Sequence, residues 1–414
     1  MEREIIVRDL RLFPKRLLSY CCYQLSKLFP RNPNKWIFGA HFGFKDNSKF
    51  LLYDVLDHHS EIRAIWICRH KVDIPKLEQQ KIEYYYWPSI KALYHCLTAK
   101  VWICTQNTLD INNFTSGGAY YVNLNHGVGV KKCYWLRPDF MERNWGRKVQ
   151  KLEHSWWFRI LTHPVYFRVP DLCLVTSRFQ AETFFAPMFR IPLSKCVYSN
   201  FPRNNLLTCE KEKVIALARK YEPETTLQLI DKSARYRKVY IYMPTWRNDM
   251  HDFIESAKID FQRLNEVLRQ GNDLLILKLH PYTRLDISKV NGLSNIVCFP
   301  AQSDVYYILP FTDCLITDYS SIYSDYSLMN KEVILFVFDL DDYLCKCTEL
   351  EDYDKYYPGM RANDFEELVD MIANNKDCHV GKEDREFILK TYWGNIGEGV
   401  NFVEEIKNRI GLKE

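Results

Sequence analysis

Short apolar runs alternate with amphipathic stretches along most of the chain. The runs have the length and the β-branched and aromatic content of buried strands, and the stretches between them place apolar residues at helical spacing. Strand and helix in alternation predict parallel strands joined by crossover helices. The first series predicts strands at 36–40, 62–68, 82–87, 101–105, 120–125 and 172–176, with helices at 48–58 and 89–99. The second predicts strands at 239–244, 274–280, 296–300, 314–318 and 333–339, with helices near 259–270, 303–309, 320–329 and 363–374.

A charged region without an obvious strand, residues 203–235, lies between the two series, and we expect it to join two halves. A chain of 414 residues is long for one core, because domains usually hold about 100 to 200 residues. We therefore predict an α/β protein with two Rossmann-like, doubly wound domains facing a cleft. The predicted division is a basic amphipathic N-terminal helix at 1–34, a first domain at 35–200, a second domain at 201–400 and a C-terminal helix end at 401–414.

The N-terminal segment combines basic residues with an amphipathic pattern. Pro14 suits the first turn of a helix, and Pro30 and Pro33 end it. One side of this helix is apolar and consists of Leu17, Leu18, Cys21, Cys22, Leu25, Leu28 and Phe29. Two interpretations fit the pattern: the helix lies on an anionic membrane surface, or it packs on the protein's own core.

Composition narrows the class of protein. Hydrophobic residues make up 47% of the chain and charged residues 26%, as in folded proteins. A net charge of +4 argues against a dedicated nucleic-acid binder. The 14 cysteines are scattered, mostly within apolar runs, and predict reduced thiols in the cytoplasm rather than a zinc site. No run reaches the roughly 18 apolar residues of a membrane span, and no signal peptide is evident, so we expect a cytoplasmic location.

An irregular region between the strands at 120–125 and 172–176 mixes basic and aromatic residues, beginning with Lys131, Lys132 and Arg137. Such a mixture contacts nucleic acid or the headgroup layer of a bilayer. Because no nucleic-acid motif accompanies it, we predict that these three residues contact an anionic acceptor or a membrane. An ordinary solvated surface is the alternative.

Polar residues follow several predicted strands directly. Parallel sheets bind ligands beyond the carboxyl ends of their strands. Polar segments in such places are 125–127, 200–205, 244–249, 278–281 and 317–321. Together they predict one site at the rim of the cleft.

The stretch LITDYSSIYSD, residues 315–325, turns from a buried strand into a polar cluster. Ser320 and Ser321 open the next helix, where free N–H groups and the helix dipole attract phosphate. Simple helix capping is the alternative.

Two histidines also follow predicted strands. His280 precedes a proline, and an imidazole there can donate to a pyrophosphate oxygen and assist departure of a phosphate leaving group. His126 precedes Gly127 and Gly129, which permit close backbone approach to a ligand. Imidazole titrates near neutrality, so His126 can act as a general base towards a hydroxyl. A single histidine in such a place is often structural, but one in each domain favours catalysis.

The order of these segments resembles a known family. The segments are HG at 126–127, FPRN at 201–204, MPTWR at 243–247, KLHP at 278–281, ITDYSS at 316–321 and DLDDY at 339–343. The chain resembles in these motifs the CDP-glycerol glycerophosphotransferases of teichoic-acid and capsule synthesis. The resemblance extends over residues 35–360 and includes DNSK at 46–49.

The resemblance implies a GT-B fold with an acceptor domain at 35–200 and a donor-nucleotide domain at 201–400, attached peripherally to the inner face of the cell membrane. It implies transfer of glycerol phosphate from CDP-glycerol, or of ribitol phosphate from CDP-ribitol, to a glycan or polyol-phosphate acceptor, with release of CMP. His126 would be the base, and His280 would contact the donor pyrophosphate. The expected donor-binding residues are Thr245, Arg247, Thr317, Asp318, Ser320, Ser321, Asp339 and Asp342.

Other functions stay open at this point. The same fold serves glycosyltransferases that use sugar nucleotides, and a protein with inherited motifs can be a non-enzymatic membrane or glycan-binding scaffold. No compact acidic cluster demands a metal ion, so a divalent-metal requirement stays open. The expected partners are the CDP-polyol donor, the acceptor and an anionic membrane surface, without nucleic acid.

Overall fold

The computed structural model describes residues 2–136, 168–247, 253–279, 283, 285–300, 303–346, 352–395, 399 and 401–412. They belong to two compact units. The first unit comprises Met1–Arg203 together with Thr391–Glu414, and the second comprises Asn204–Lys390. Each unit contains one parallel sheet, which confirms the predicted α/β fold class.

The sheet of the first unit has seven parallel strands in the order β3-β2-β1-β4-β5-β6-β7. Its strands are β1 (Asn32–Phe38), β2 (Arg63–Cys68), β3 (Tyr84–Tyr86), β4 (Ala99–Cys104), β5 (Tyr120–Asn123), β6 (Leu172–Val175) and β7 (Cys196–Tyr198). Its first helices are α1 (Glu2–Ser26), α2 (Asp46–His58), α3 (Ile74–Gln79), α4 (Ile90–Thr98) and α5 (Ala186–Phe189). Ile37, Ile65, Trp102 and Tyr121 from adjacent strands form part of a buried core, as expected for a sheet covered on both faces.

The sheet of the second unit has six parallel strands in the order β10-β9-β8-β11-β12-β13. Its strands are β8 (Lys238–Tyr242), β9 (Asp273–Leu277), β10 (Ile296–Cys298), β11 (Cys314–Thr317), β12 (Glu332–Phe336) and β13 (Met360–Ala362). Its helices are α6 (Asn205–Thr208), α7 (Lys211–Tyr221), α8 (Glu224–Ser233), α9 (Phe253–Ser256), α10 (Phe261–Gly271), α11 (Ile322–Tyr326), α12 (Leu340–Lys346), α13 (Tyr353–Tyr356) and α14 (Phe365–Ala373). Helix α15 (Lys382–Trp393) begins in this unit, and its last residues belong to the first. The strand order reverses between β8 and β11, which is where doubly wound sheets bind ligands.

The chain returns to the first unit at Thr391 and ends in α16 (Phe402–Ile410). The predicted division placed residues up to 400 in the second domain, and the contacts show why this boundary differs. The Ser177 hydroxyl donates to the Thr391 carbonyl at 2.5 Å. The Lys407 ammonium, with a side chain only 5% exposed, donates to Glu61 at 3.0 Å.

The region at 203–235 is not a simple connection between halves, because it contains α6, α7 and α8. All three helices belong to the second unit. Val214 and Ala218 on α7 and Leu229 and Ile230 on α8 are buried. The high proportion of charged residues reflects the exposed sides of these helices rather than a linker.

Helix α1 begins at Glu2 and contains Pro14, so the prediction that Pro14 starts the helix was wrong. Residues 2–13 contain no glycine or proline that would interrupt the helix before Pro14. Tyr23 and Ser26 are buried, and the Ser26 hydroxyl oxygen accepts from the Gly117 N–H at 2.9 Å. The predicted apolar side does not pack on the core, since Leu18, Leu25 and Leu28 are 65%, 59% and 79% exposed. Among the described residues, no helix is both long and apolar enough to cross a bilayer.

Candidate functional site

The turn that carries His126 in the first unit is fixed by polar contacts. Asn125 follows β5 with a left-handed backbone, at φ 57°. Its side-chain N–H donates to the Leu174 carbonyl at 2.7 Å, and its own carbonyl accepts from the Asn47 side chain at 2.7 Å. These bonds tie the turn to neighbouring parts of the unit, so the backbone orients the imidazole that follows.

His126 lies beside a buried carboxylate. Its side chain is 55% exposed, and Nδ1 makes a short contact with Oδ2 of Asp46, whose side chain is 7% exposed. The other Asp46 oxygen accepts from Nη1 of Arg203 at 2.7 Å. A carboxylate on Nδ1 favours the tautomer with the proton on that nitrogen, which leaves the Nε2 lone pair available for a proton.

The electrostatic surroundings keep Asp46 ionised. Burial by itself raises the pKa of this carboxyl, but the charges of His126 and Arg203, with hydrogen bonds from His126 and the Asn47 N–H, outweigh it and lower the pKa to about 2. Asp46 therefore keeps its negative charge beside the imidazole at neutral pH, and Arg203 holds the carboxylate in place. This is the arrangement that orients a histidine base and stabilises it after it takes up a proton.

Of the two glycines after His126, Gly129 has a packing role, and the role of Gly127 stays a prediction. A Cβ on Gly129 would lie 2.8 Å from the ring of Phe184, so this glycine is needed for packing inside the unit. Its N–H donates to the Gln180 side chain at 2.5 Å. Lys131 and Lys132 follow and are half-buried, whereas Arg137 lies outside the described residues. The acceptor or membrane role of these three residues stays a prediction.

At the switch point of the second unit, Arg247 lies between two carboxylates. Its Nε and Nη2 donate to the two oxygens of Asp339 at 3.0 and 2.8 Å, and its Nη1 donates to Asp318 at 2.5 Å. The Arg247 side chain is 3% exposed. Burial by itself lowers the pKa of this guanidinium, but both carboxylates raise it more, so Arg247 stays charged.

This geometry gives Arg247, Asp318 and Asp339 a structural role, because they bind one another. Asp318 also accepts from the Thr245 N–H at 2.9 Å, and thereby joins the segment after β8 to the segment after β11. Arg247 directs its donors to Asp318, Asp339 and the Thr245 carbonyl. These contacts hold the loops in shape, and the direct donor contact of Arg247 stays a prediction.

Aromatic residues surround the same cluster. The ring of Tyr319 stacks on that of Tyr343, with centroids 3.8 Å apart, and its hydroxyl donates to Asp339 at 2.9 Å. The Tyr353 hydroxyl donates to the Asp318 carbonyl at 3.1 Å, and the Tyr357 hydroxyl donates to the Tyr319 carbonyl at 3.3 Å. In a trans peptide the C=O and the next N–H point in opposite directions, so Tyr357 also fixes the direction of the Ser320 N–H.

The hydroxyl groups predicted to bind the donor have different surroundings. Thr317 donates its hydroxyl to the Met243 carbonyl at 2.8 Å, so it supports the loop. Ser321 precedes α11 and makes no side-chain capping bond, whereas the Ser320 hydroxyl oxygen accepts from the Ile322 N–H at 3.5 Å, so the capping alternative stays open for Ser320. Ser320 and Ser321 are half-exposed. Within the part of the chain that the structure describes, the buried Thr245 Oγ1 has no hydrogen-bond partner.

His280 and Asp342 complete the set of residues predicted to contact the donor. His280 lies outside the described residues, so its predicted contact with the donor pyrophosphate stays a prediction. Asp342 is exposed in the first turn of α12, and its role near the nucleotide also stays a prediction.

One group among the described residues has the spacing of metal ligands, namely Glu332, Asp377 and His379. Glu332 already accepts from the Lys238 ammonium at 2.8 Å and from the Cys378 N–H at 3.1 Å. It begins β12, at the opposite end of the sheet from Asp318, which follows β11. Glu332 is thus paired with Lys238, and His379 with Asp377, away from the candidate site.

Sequence reasoning assigned no role to Asp46, Arg203, Tyr353 or Tyr357. Asp46 and Arg203 do lie in the DNSK and FPRN segments, and Arg203 follows the end of β7. A search for acidic partners of His126 within those segments would have singled out Asp46.

Two parallel, doubly wound α/β units define the class of two-domain Rossmann-like proteins to which GT-B transferases belong. The family model for CDP-glycerol:poly(glycerophosphate) glycerophosphotransferases matches residues 21–392, and the chain belongs to this family. The resemblance inferred from the motifs is thereby confirmed.

Relatives within this family transfer different polyols. The chain is 25% identical over 377 residues to a teichoic acid glycerol-phosphate transferase of Staphylococcus aureus, covering 86% of this chain and 88% of the relative. It is 31% identical over 203 residues to the teichoic acid ribitol-phosphate polymerase TarK of the same species, covering 48% of this chain. That match spans only 38% of TarK, well under half of its length.

The fold also matches a solved structure. The wall teichoic acid polymerase TagF, as a variant soaked with CDPG, has a TM-score of 0.69 to this chain at 19% identity, covering 99% of this chain and 98% of that one. Together the comparisons place the protein in the teichoic-acid polyol-phosphate transferase and polymerase family.

Proposed function

We propose that the protein transfers glycerol phosphate from CDP-glycerol to a hydroxyl of a membrane-linked or capsular glycan or polyol-phosphate acceptor, releasing CMP. The observation that carries this proposal is the His126–Asp46–Arg203 array. In this array Asp46 orients an exposed imidazole on a turn that is held by hydrogen bonds. Family membership and the glycerol-phosphate relative support the choice of donor.

In the proposed reaction the acceptor O–H gives its proton to Nε2 of His126. The acceptor oxygen forms a bond to the phosphorus that carries glycerol, and the bond from this phosphorus to the CMP oxygen breaks. CMP leaves with the bonding electron pair. Asp46 balances the imidazolium charge, so the array needs no further proton acceptor.

We assign the donor phosphates to the switch point of the second unit. The Ser320 and Ser321 hydroxyls are half-exposed, the Thr245 hydroxyl lacks a partner among the described residues, and the tyrosine hydroxyls fix the loop that carries Ser320. The soak of TagF with CDPG concerns a protein of the same fold and supports a CDP-polyol donor. Arg247, Asp318 and Asp339 position this loop, Thr317 supports it, and His280 is retained as the predicted pyrophosphate contact.

The test is a donor panel with the purified protein: labelled CDP-glycerol, CDP-ribitol and a UDP-sugar, each with a glycan or polyol-phosphate acceptor. We expect CMP release and a labelled product with CDP-glycerol, and loss of both in His126→Ala. Activity with a UDP-sugar alone would overturn the phosphotransfer proposal. Acceptor binding without turnover of any donor would favour the scaffold alternative.

Ribitol phosphate is the second candidate, because the match to TarK has the higher identity, although it covers less of this chain. Product analysis from the same panel distinguishes the two polyols. A labelled product that forms only from CDP-ribitol would replace glycerol by ribitol and leave the assigned roles of the residues unchanged.

We also propose that α1 attaches the protein to an anionic membrane surface. Its exposed leucines provide apolar area, and Lys15 is exposed beside them. The variant Leu18→Ser, Leu25→Ser, Leu28→Ser is expected to lose sedimentation with vesicles that contain phosphatidylglycerol. The control changes Val72, Ile90 and Leu193, which are exposed elsewhere on the same unit, to serine. Equal binding by both variants would contradict the proposal.

A further inference from the structure

A basic concavity lies in the second unit, away from the residues discussed so far. It has a volume of about 630 Å³, within the range of about 300–1,000 Å³ that is usual for small-molecule sites. Three cationic side chains line it, Lys232 at the end of α8, Arg235 just after it, and Arg269 in the last turn of α10. We call these residues and this concavity the basic pocket.

The cations of the basic pocket have no acidic partner among the described residues. Within the described residues, none of Lys232, Arg235 and Arg269 has a carboxylate within ion-pair distance. The carboxylate of the nearby Asp273 is paired with Arg237 at 2.7 Å. No acidic residue lines the pocket. Positive charge that is concentrated in a concave surface and left unpaired raises the local concentration of anions.

Hydrogen-bonding side chains complete the lining. Gln228 and Asn272 contribute exposed amides. The Asn295 amide donates to the Asp273 carbonyl at 2.8 Å and the Tyr236 hydroxyl to the Ser294 carbonyl at 3.3 Å, so these two residues shape the lining. Asn272 has a left-handed backbone, at φ 53°, as the residue that ends α10. Cations interspersed with neutral donors can recognise a ligand that carries both phosphate and hydroxyl groups.

The basic pocket and the switch point are at opposite ends of the second sheet. Tyr236, Asn272 and Asn295 precede β8, β9 and β10, whereas Thr245 and Asp318 follow β8 and β11. Each residue of a strand advances the chain by about 3.3 Å, and β8 and β9 each have 5 residues. A ligand in the basic pocket is therefore separate from one at the switch point.

We propose that the basic pocket is a second substrate site, which binds a phosphodiester chain built of polyol-phosphate units. The identity of the chain, as the acceptor or growing product, rests on the proposed function. Each unit of such a chain carries one negative charge and free hydroxyls, which match the cations and the neutral donors of the pocket. Binding here holds part of the chain away from the reacting end.

A phospholipid headgroup presents the same phosphodiester chemistry, but the surroundings favour the soluble chain. Apart from Tyr236, none of the described residues that line the pocket is apolar or aromatic. A surface that docks on a bilayer normally combines cations with exposed apolar or aromatic anchors. The concave shape also suits a flexible chain better than a flat bilayer.

The test measures binding of a fluorescently labelled poly(glycerol phosphate) oligomer to the full-length protein by anisotropy, at several salt concentrations. The variant carries Lys232→Gln, Arg235→Gln and Arg269→Gln. We expect it to bind the oligomer at least about tenfold more weakly than the wild type, with a smaller dependence on salt. The matched control carries Lys213→Gln, Lys382→Gln and Lys390→Gln, three exposed lysines of the same unit, and is expected to bind like the wild type.

Parallel measurements separate the alternatives. Oligomer affinity that is equal in both variants would overturn the proposal. So would pocket-dependent binding to phosphatidylglycerol vesicles without binding of the oligomer, or an equal loss of affinity for CDP-glycerol. Thermal melting of both variants checks that the fold is retained. Pocket-dependent binding of the oligomer by a protein that turns over no donor would support the site and contradict the proposed function.

Discussion

In the first unit an imidazole that is 55% exposed lies on a carboxylate that is 7% exposed, whereas in the second unit an arginine that is 3% exposed lies between carboxylates that are 1% and 8% exposed. The first arrangement leaves a titratable ring at the surface and buries only the groups that orient it. The second buries all of its charges and satisfies them within the protein. The exposed His126 ring can exchange a proton with a substrate. The buried Arg247 cluster instead fixes the shape of loops that bind a substrate.

The largest expected effect is on turnover. His126→Ala should lower the rate about 100-fold to 10,000-fold, because it removes the proposed general base. Stability should fall by no more than about 2 kcal/mol, because His126 is one of the two groups that stabilise the ionised, buried Asp46. The matched control is His58→Ala, since His58 also contacts an aspartate, Asp54, at 3.0 Å and is 67% exposed. Steady-state kinetics and thermal melting together check the prediction, and unchanged turnover in His126→Ala would remove its role as base.

The next effect is on stability and concerns Arg247. Arg247→Met leaves Asp318 and Asp339 buried without their cation, so we expect the free energy of unfolding to fall by about 3–5 kcal/mol. Arg263→Met is the control, because the Arg263–Glu366 pair is 47% and 66% exposed and should contribute less than about 1 kcal/mol. Chemical denaturation measures both. Equal losses in the two variants would contradict the distinction between the two kinds of charge.

The pH dependence of the unfolding free energy tests the role of the buried Asp46 carboxylate in the first unit. The pKa of Asp46 is about 2 in the folded protein, below its ordinary value of 3.8. The resulting stabilisation is fully present above the ordinary pKa and is lost as the pH falls through the folded value. It amounts to about 2 kcal/mol.

Asp46→Asn removes this contribution at every pH. The gap in unfolding free energy between the wild type and Asp46→Asn should therefore shrink by about 2 kcal/mol from about pH 5 to about pH 2. Denaturation series at stepped pH provide the measurement. A gap that stays constant over this range would show that the carboxylate is not held by His126 and Arg203 as described.

The smallest expected effects, on stability and on KM, come from the orientation of the peptide between Tyr319 and Ser320. Tyr357→Phe removes the hydroxyl that holds the Tyr319 carbonyl, with a cost of about 0.5–1.5 kcal/mol in stability. If that peptide directs the Ser320 N–H towards the donor, KM for the donor should rise severalfold with little change in kcat. Tyr323→Phe is the control, because its hydroxyl donates to the Pro358 carbonyl at 2.6 Å, outside the loop. The same rise in KM in both variants would assign the effect to general loosening.

The sequence was sufficient to predict most strands, and the reason is their burial. β4 and β8 are almost wholly buried, so their apolar residues form continuous runs that are visible without a structure. β7 and β13 are three residues long, as are β3 and β10, but they lack the longer apolar runs that surround β3 and β10 in the sequence. The charged helices α7 and α8 were missed because each buries only a narrow side.

The site was predictable as a set of segments but not as a set of contacts. His126 and Asp46 are 80 residues apart, and Arg203 is 157 residues from Asp46. Nothing in the local pattern records which carboxylate meets which cation. Arg247 shows the same limit, since its sequence position suggested a phosphate contact while its geometry assigns the guanidinium to Asp318 and Asp339.

The return of the chain to the first unit has a consequence for the order of events during synthesis. A domain normally completes its fold once its own residues have left the ribosome. Here the contiguous second unit is finished before Thr391, Trp393 and Lys407 are available to the first. Until then Ser177 and Glu61 lack their native partners, and the ring of Phe201 lacks the Trp393 ring that packs against it. The first unit, although it begins the chain, is therefore the last to be completed.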